Sequence, residues 1–514
     1  MVRLSRPTSH ISHGLWWLLV LLLGGWLRCS QAGECLWLDE LHTSWVVADG
    51  ARAIPGRAMA GNQSPVYFFL VWVSVSVFGH SEWALRLPSL MAGLALIGAT
   101  AAVVRQWSGS LASSLLAALL VAVDYDCIFF AQEARPYALV QLSAVGHAAV
   151  FASLIERPTP GRRAAFVAGA AWLFYLHYTA FLLLVAEGLC LAALLVWDRR
   201  RVAYRPGQFC LDAVAIGLLL APASPHVAEI AARRGQWARI ADAWHSPALR
   251  DALMTLVGVP LIVLLAGRAC RLRRSAFRFA SRHGLWSVCW FAVPASLAWA
   301  STLVGLAALW MPRYLVASLA GAIVFASLCH ASFANRWYRC LAGTVMVLSL
   351  VISSGMIPQW WRDGRWVGER NEPWPAAINW LADRHAAQPL PVFLCPALLE
   401  DQNLTDGGDP NLHEYCLFPL RGLYRLDIPH VEPLATGART ALGERRASAV
   451  GRQGGAWFLM RLSPQAGSRV VDQLTRELRR AGLAARVDGQ RRFGGLLVVR
   501  LAVAGVGRPS GMHH

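Results

Sequence analysis

Two apolar segments of unequal length, Val66–Phe78 and Leu85–Val104, lie within the stretch Val66–Arg105, VYFFLVWVSVSVFGHSEWALRLPSLMAGLALIGATAAVVR. The second is long enough to cross a bilayer as a helix, which takes roughly 20 apolar residues. If the first also crossed, Arg105 and all later basic loops would lie outside, although basic loops normally stay in the cytoplasm. The stretch therefore predicts that the first segment, from Pro65, is a helix along the membrane surface and that only the second is a span.

The composition is that of a membrane protein. Of 514 residues, 56% are hydrophobic and only 15% are charged, which is more apolar surface than one soluble core can bury. The net charge of +18 is carried by short basic clusters between the apolar runs. Such clusters are typical of cytoplasmic loops rather than of a nucleic-acid-binding surface, so we expect no nucleic-acid partner.

The basic clusters also set the direction of each span. Arg3 and Arg6 precede the first apolar run, Gly14–Leu27, which predicts a cytoplasmic N-terminus and a first span that leaves the cytoplasm. A cleaved signal peptide ending near Ser30-Gln31-Ala32 is the alternative interpretation of this run. The many apolar runs that follow favour a membrane span.

The rule that basic loops stay in the cytoplasm predicts about eleven spans and places the chain after the last span outside. The later spans are predicted at Leu85–Val104, Leu111–Phe129, Pro136–Ile155, two within Ala164–Trp197 with a break at His177-Tyr178, Cys210–Ala223, Leu253–Ala266, Leu285–Leu303, Tyr314–His330 and Leu341–Met356. The basic clusters that then fall inside are Arg105, Arg157–Arg163, Arg199–Arg201, Arg268–Arg282 and Arg336–Arg339. The sequence thus predicts an all-α multi-pass membrane domain over residues 1–356.

Residues 357–514 have a different composition and predict a small periplasmic α/β domain. The predicted strands are Val392–Cys395, Ala456–Met460 and Leu496–Leu501, and the predicted helices are Trp374–His385 and Val470–Ala481. Cys395 and Cys416 would lie in an oxidising compartment, where a disulfide and two buried free thiols are both open interpretations.

This topology collects polar residues at the outer ends of the spans. They are Asp39, Glu40, Gln63, Arg86, Glu133, Arg135, Tyr137, His177, Tyr178, Arg313 and Tyr314. Each has a structural interpretation by itself: the arginines as snorkelling anchors, the tyrosines as belt aromatics and Glu133 with Arg135 as a surface ion pair. Acids and arginines that converge on one membrane face instead indicate a functional site, because a carboxylate there is costly unless it is solvated or paired.

Several phrases carry a resemblance to a known family. They are LDE after the first span, NQSPVYFFLVWVSVSVFGHSEWALRLPSLMAG, IFFAQEARPYAL, LFYLHYTAFLLL, MPRYLVASLAG and NEPWPAAINWL. In this order they resemble the membrane glycosyltransferases of the dolichyl-phosphate-mannose protein mannosyltransferase-like superfamily, which have the GT-C fold, and especially the bacterial branch related to aminoarabinose transferases. The surface helix at residues 65–78 matches the juxtamembrane helices that such enzymes place in their first outer loop.

The resemblance implies that a sugar moves from a polyprenyl-phosphate carrier to a lipid, glycan or protein acceptor at the periplasmic face. Such a reaction needs a carboxylate to accept the proton of the acceptor hydroxyl, cations for the departing phosphate and an apolar groove for the prenyl chain in the membrane lipid. We expect Asp39 to be the base and Glu40 to orient a partner or bind the acceptor. Glu133 is expected to contact the acceptor or sugar, held in place by Arg135.

Arg313 is the expected phosphate clamp, because guanidinium binds phosphate bidentately without losing its charge. Arg86 is a weaker candidate, and Tyr137, His177, Tyr178 and Tyr314 are expected to line the substrate site. Where the aminoarabinose branch carries a lysine before paired prolines, this chain has Gln63-Ser64-Pro65. One phosphate-binding cation is therefore missing, so binding of the donor phosphate relies more on Arg313 or another cation, with a hydrogen bond from Gln63. A divalent metal held by Asp39 and Glu133 is an alternative.

Two other functional classes compete with the enzyme. One is a lipid or solute carrier, which would favour internal repeats and charged residues at mid-membrane. The other is a degenerate transferase that keeps the fold as a scaffold, which the missing lysine makes conceivable. The sequence has no Walker motif and no Rossmann fingerprint, so ATP-driven transport has no support.

Overall fold

The computed structural model describes residues 8–197, 199, 202–233, 247–272, 282–368, 370–405, 408–436 and 442–504. The basic N-terminus and parts of the predicted basic loops at 199–201 and 268–282 lie outside these ranges. The described chain is mostly helical, with a small sheet near its C-terminal end. This is the fold class that the sequence predicts.

Helices occupy every predicted span. In chain order the helices up to residue 363 are α1 Thr8–Cys29, α2 Leu38–Ala48, α3 Ile54–Ala60, α4 Val66–Phe78, α5 Glu82–Ser108, α6 Leu111–Val123, α7 Tyr125–Ala131, α8 Tyr137–Glu156, α9 Pro160–Leu176, α10 Phe181–Trp197, α11 Pro206–Leu220, α12 Ser224–Ala232, α13 Pro247–Leu253, α14 Val259–Ala269, α15 Arg282–Leu303, α16 Val316–Ala331, α17 Arg336–Ser353 and α18 Met356–Asp363. One π-helical segment, Met254–Gly258, joins α13 to α14. Helices α2, α3 and α4 lie between α1 and α5, in the segment predicted to be the first outer loop.

Five stretches in the described part of the chain are both long and apolar enough to cross a bilayer, and two bent helix pairs would raise the number to seven. The chain is thus a multi-pass membrane protein. The total of about eleven spans and the direction of each remain predictions.

The third span is broken, although the sequence predicts it as one helix. Helices α6 and α7 meet at an angle of 59°. Asp124 causes the break, because its backbone is extended and its side chain caps α7 by accepting a 2.8 Å hydrogen bond from the Cys127 backbone N–H. A second bend, of 45°, separates α17 from α18 at Gly355, which has a φ of 68°.

The chain forms two compact units, and neither is continuous in sequence. The first comprises residues 1–33, 62–74 and 86–368, and the second comprises residues 34–61, 75–85 and 369–514. In the first unit, α15 packs closely on α16: Trp290 Nε1 donates to the Ala317 carbonyl over 2.8 Å, and a Cβ at Gly321 would lie 2.7 Å from the Trp290 ring. The predicted domain boundary after Met356 stays a prediction.

The second unit contains a five-stranded sheet. The helices and strands of this unit after residue 368 are α19 Trp374–Ala387, β1 Val392–Cys395, α20 Pro410–Cys416, β2 Val431–Pro433, α21 Gly443–Gln453, β3 Gly455–Arg461, α22 Pro464–Arg480, β4 Ala484–Phe493 and β5 Leu496–Ala504. The strand order is β2-β1-β3-β5-β4, with β1 parallel to both of its neighbours and the last two pairs antiparallel. All three predicted strands and both predicted helices are present.

A buried apolar core holds the sheet against α21 and α22. Phe393 and Phe458 stack across β1 and β3 at 5.2 Å, and Leu474 and Leu478 of α22 are buried in the same cluster. Their spacing of four residues keeps both side chains on one helix face. The most polar strand, β4, lies at one edge of the sheet.

Cys395 and Cys416, for which the sequence left two interpretations, are both buried free thiols. Burial raises the pKa of each thiol above its ordinary value. The thiolate is the reactive form of cysteine, so neither side chain is set up for redox chemistry in this conformation.

Candidate active site

An aromatic and basic cluster surrounds the break between α9 and α10 in the first unit. His177 ends α9 with an extended backbone, and its ring lies 5.7 Å from the Tyr137 ring and 5.9 Å from the Tyr314 ring, measured between centroids. Thr179 Oγ1 lies 2.7 Å from His177 Nδ1 and donates to the Tyr314 carbonyl over 3.1 Å. These contacts join the break at residue 177 to the Pro312–Tyr314 turn.

Two guanidinium groups belong to this cluster. Arg313 Cζ lies 5.1 Å from the centre of the Tyr314 ring. Arg135 is buried just before α8, and the Gln63 amide oxygen lies 2.8 Å from its Nη1 and also accepts from Nη2, with the amide orientation that satisfies both groups. Gln63 thus replaces the expected lysine with a neutral acceptor that orients a different cation.

Burial lowers the pKa of His177 to about 3, and the positive charges of Arg135 and Arg313 add to this effect. Both arginines therefore lie close enough to the imidazole to act on its charge. His177 is neutral at physiological pH, and an anion placed among these groups would meet two fixed positive charges. The arrangement can bind a phosphate.

We expect His177 to cause a pH dependence of stability. Below its ordinary pKa of about 6.5 the unfolded chain binds a proton at this position that the folded chain does not bind, so the free energy of unfolding falls as the pH falls. At pH 5 this loss is about 2 kcal/mol for a histidine whose pKa drops to about 3. Thermal unfolding of the wild type and of His177→Gln at pH 7 and pH 5 measures it; an equal loss in both proteins would contradict the assignment.

An apolar cleft opens beside the same turn. Most of its lining is aliphatic or aromatic, including Phe130, Leu256, Phe291, Pro312 and Leu315. Phe130 also contacts Tyr137 at 5.0 Å between ring centres, and Pro312 and Leu315 flank the Arg313–Tyr314 pair. Apolar residues of this cleft are thus sequence neighbours of the basic cluster, and an amphiphilic phosphate requires both kinds of surface.

Three other predicted residues of the first unit, Arg86, Tyr178 and Glu133, have contacts of their own. Arg86 is fully buried and donates to the Ala32 carbonyl over 2.8 Å, which supports a structural role. Tyr178 hydrogen bonds to His226 Nδ1 at 2.9 Å. Glu133 is buried, and its carbonyl accepts from the Arg135 backbone N–H over 2.8 Å. The predicted side-chain contact of Glu133 with the sugar or the acceptor stays a prediction.

The two adjacent acids, Asp39 and Glu40, occupy the first turn of α2 in the second unit. A carboxylate is stabilised there by the positive end of the helix dipole. Asp39 is half-buried, whereas Glu40 is fully buried and its Oε2 lies 3.8 Å from Arg370 Nε. The two acids therefore differ in burial and in partner, and the expected roles of Asp39 as base and of Glu40 in orienting a partner stay predictions.

Glu372 fixes the start of this helix. Its Oε2 accepts hydrogen bonds from the Leu38 backbone N–H at 2.9 Å and from Trp374 Nε1 at 3.0 Å, and its Oε1 accepts from Arg461 Nε at 2.6 Å. One buried carboxylate thus links α2 to α19 and β3. It holds the turn that carries Asp39.

We expect Glu372→Ala to lower the free energy of unfolding by about 3 kcal/mol, since three hydrogen bonds to one buried carboxylate are lost. It should also lower any activity that depends on Asp39, because the first turn of α2 loses its support. Thermal unfolding of the full chain in detergent measures the first effect. The control is Glu444→Ala, an exposed acid of the same unit, which should change stability by less than about 0.5 kcal/mol; equal effects of the two variants would exclude the assigned role of Glu372.

The structure brings together Gln63, Arg135, Tyr137, His177, Arg313 and Tyr314 within the first unit, whereas Asp39 and Glu40 belong to the second. Arg370 and Glu372 are contacts that sequence reasoning missed. Their only signal was the NEPWP phrase that begins one residue after Arg370. In the described part of the chain, no group of three or more His, Cys, Asp and Glu side chains is placed to hold a metal ion.

Part of this chain matches a protein family model, and almost all of it resembles solved structures. Residues 62–228 match the family model described as dolichyl-phosphate-mannose-protein mannosyltransferase. ArnT from Cupriavidus metallidurans bound to undecaprenyl phosphate is similar in structure, with a TM-score of 0.52 and 13% identity, over 96% of this chain and 98% of that chain. The apo state of the same protein gives a TM-score of 0.51 and 13% identity, over 95% and 97%. No curated protein sequence matches this chain.

At 13% identity the structural likeness establishes the fold, and the family match covers a contiguous part of the membrane helices. Both agree with the resemblance that the sequence motifs predict. The chain therefore has the GT-C fold of ArnT over almost its whole length and carries a dolichyl-phosphate-mannose-protein mannosyltransferase match at residues 62–228.

Proposed function

We propose that this protein is a membrane glycosyltransferase that moves a sugar from a polyprenyl-phosphate carrier to an acceptor hydroxyl. The observation that carries the proposal is the cluster in the first unit, where Arg135 and Arg313 lie around a neutral His177 beside an apolar cleft. A polyprenyl phosphate has one anionic end and one apolar tail, and this surface has a matching region for each.

The reaction exchanges one bond for another at the anomeric carbon of the sugar. The acceptor oxygen bonds to that carbon, its proton passes to a carboxylate base, and the bond from the carbon to the phosphate oxygen breaks with its electron pair staying on the phosphate. Negative charge therefore grows on the leaving group in the transition state. Fixed guanidinium groups stabilise that charge more than they stabilise the bound donor, so they accelerate the reaction.

The comparisons support the donor class more strongly than the sugar. ArnT from Cupriavidus metallidurans, which has a similar fold, binds undecaprenyl phosphate in its crystal structure, and the family model that matches residues 62–228 is that of dolichyl-phosphate-mannose-protein mannosyltransferase. The proposal extends this to a hexose or pentose, with a lipid, glycan or protein acceptor at the periplasmic face of the inner membrane.

Transfer by the purified full chain tests the proposal. The protein in detergent is given undecaprenyl phosphate carrying a labelled mannose or aminoarabinose, together with an envelope lipid extract, and the labelled product is separated from the donor. Transfer that depends on the protein supports the enzyme. Binding of undecaprenyl phosphate without transfer of either sugar, combined with lipid movement across proteoliposomes, would replace the enzyme with the carrier; binding with neither activity would favour the scaffold.

A further inference from the structure

A basic groove lies on the second unit, between helix α22 and the edge strand β4. Its lining residues are Asp472, Thr475, Arg476, Arg479, Arg486 and Val487. The groove has a volume of about 460 Å³, which is within the range of small-molecule sites. No part of the proposed transfer reaction uses it.

The sequence of α22 explains why these side chains face outward. Val470, Leu474 and Leu478 form the buried face of the helix. The helical spacing then turns Arg476 and Arg479 to the solvent side, where both are exposed. Among the described residues β4 pairs with β5 alone, so Arg486 reaches the same groove from the edge strand of the sheet.

Three guanidinium groups face one carboxylate, Asp472, in this groove. Arg479 Nη2 donates to the Ala485 carbonyl over 3.4 Å, which holds that side chain across from β4. The Thr475 hydroxyl already donates to the Val471 carbonyl over 2.8 Å, so the arginines supply the donors for an incoming ligand. The groove is therefore a cationic site with donors from two different elements.

We propose that this groove binds a phosphomonoester, separately from the donor phosphate proposed at Arg135 and Arg313. Several guanidinium forks that converge from two sides match a tetrahedral dianion with three oxygens better than they match a planar carboxylate. The ligand is either the phosphate head group of a lipid or a free phosphate compound. In both cases the phosphate is what the groove recognises.

Calorimetric titration of the full chain in phosphatidylcholine nanodiscs tests the proposal. The probes are dihexanoyl phosphatidic acid and inorganic phosphate, and dihexanoyl phosphatidylcholine is the neutral control. We expect Arg476→Gln and Arg486→Gln each to weaken phosphate binding about tenfold, because each removes charge-assisted hydrogen bonds. Repeating the titration in an Arg313→Gln background removes the contribution of the proposed donor site.

Matched controls are available on the same helix. Arg469 and Arg480 are exposed arginines of α22 that do not line the groove. Arg469→Gln and Arg480→Gln change the net charge equally and should leave the affinity within about twofold, since screened surface charges contribute little. Equal losses in all four variants, or no phosphate binding by the wild type, would overturn the proposal.

The two phosphate probes distinguish the sources. Tighter binding of phosphatidic acid than of inorganic phosphate, lost in Arg486→Gln, identifies a lipid head group. Equal binding of both, lost in the same variant, identifies the phosphate group alone. Sugar transfer need not change in either case, so a failure here is separable from a failure of the proposed transferase.

Discussion

Asp39→Asn should reduce sugar transfer by about a thousandfold, within the range that general-base catalysis contributes. The amide has the shape of the carboxylate but cannot take the acceptor proton. Asp39 lies in the first turn of α2, next to the buried Glu40, so the substitution should leave the helix in place. The measurement is the rate of labelled product formation at saturating donor, with undecaprenyl phosphate affinity measured in parallel.

Asp49→Asn is the matched control for this variant. Asp49 ends the same helix, and its exposed carboxylate pairs with Arg57. The control should keep transfer within about twofold, because an exposed ion pair contributes little. If Asp39→Asn retains wild-type transfer, or if Asp49→Asn is equally impaired, Asp39 is not the base.

Arg313→Gln is expected to reduce transfer by about a hundredfold, the lower end of what a preorganised charge contributes at an oxyanion. The loss should appear mostly in kcat, since the phosphate gains negative charge as the sugar leaves. Arg313→Lys should recover part of the activity, because an ammonium keeps the charge but not the bidentate geometry. Single-turnover kinetics and the Kd for undecaprenyl phosphate separate the two effects.

The control for Arg313 is another arginine of the same unit. Arg233 ends α12 and pairs with Glu229 at 2.6 Å, four residues earlier. Arg233→Gln should leave transfer within about twofold, because this is a surface pair. If Arg313→Gln raises KM without lowering kcat, and if Arg313→Lys is no more active than Arg313→Gln, Arg313 does not stabilise the leaving phosphate.

The sequence predicts the helices of the first unit well because bilayer length and basic loops constrain them strongly. The bend at Asp124 was missed, since its cause is one side chain that caps the next helix within an otherwise apolar run. Strand β4 was missed because of its composition. It is polar and exposed at the sheet edge, so it lacks the alternation of buried residues that marks a strand.

The candidate site also has a part that the sequence predicts and a part that it does not. Arg313, His177 and the tyrosines lie at the ends of predicted helices, so their grouping follows from topology. The contacts of Glu372 with Leu38 and of Gln63 with Arg135 join distant parts of the chain, and no local pattern reports them. In particular, the glutamine at the lysine position orients Arg135, a role that composition and spacing do not reveal.

The hydrogen bond between the Leu38 N–H and Glu372 has a consequence for biosynthesis. Its two partners are 334 residues apart, and the acceptor precedes all five strands of the C-terminal sheet. A nascent chain in the translocation machinery therefore inserts its membrane helices well before the start of α2 is locked. A chain that stops at a nonsense codon before residue 372 would therefore carry the membrane helices but lack the contact that fixes the start of α2.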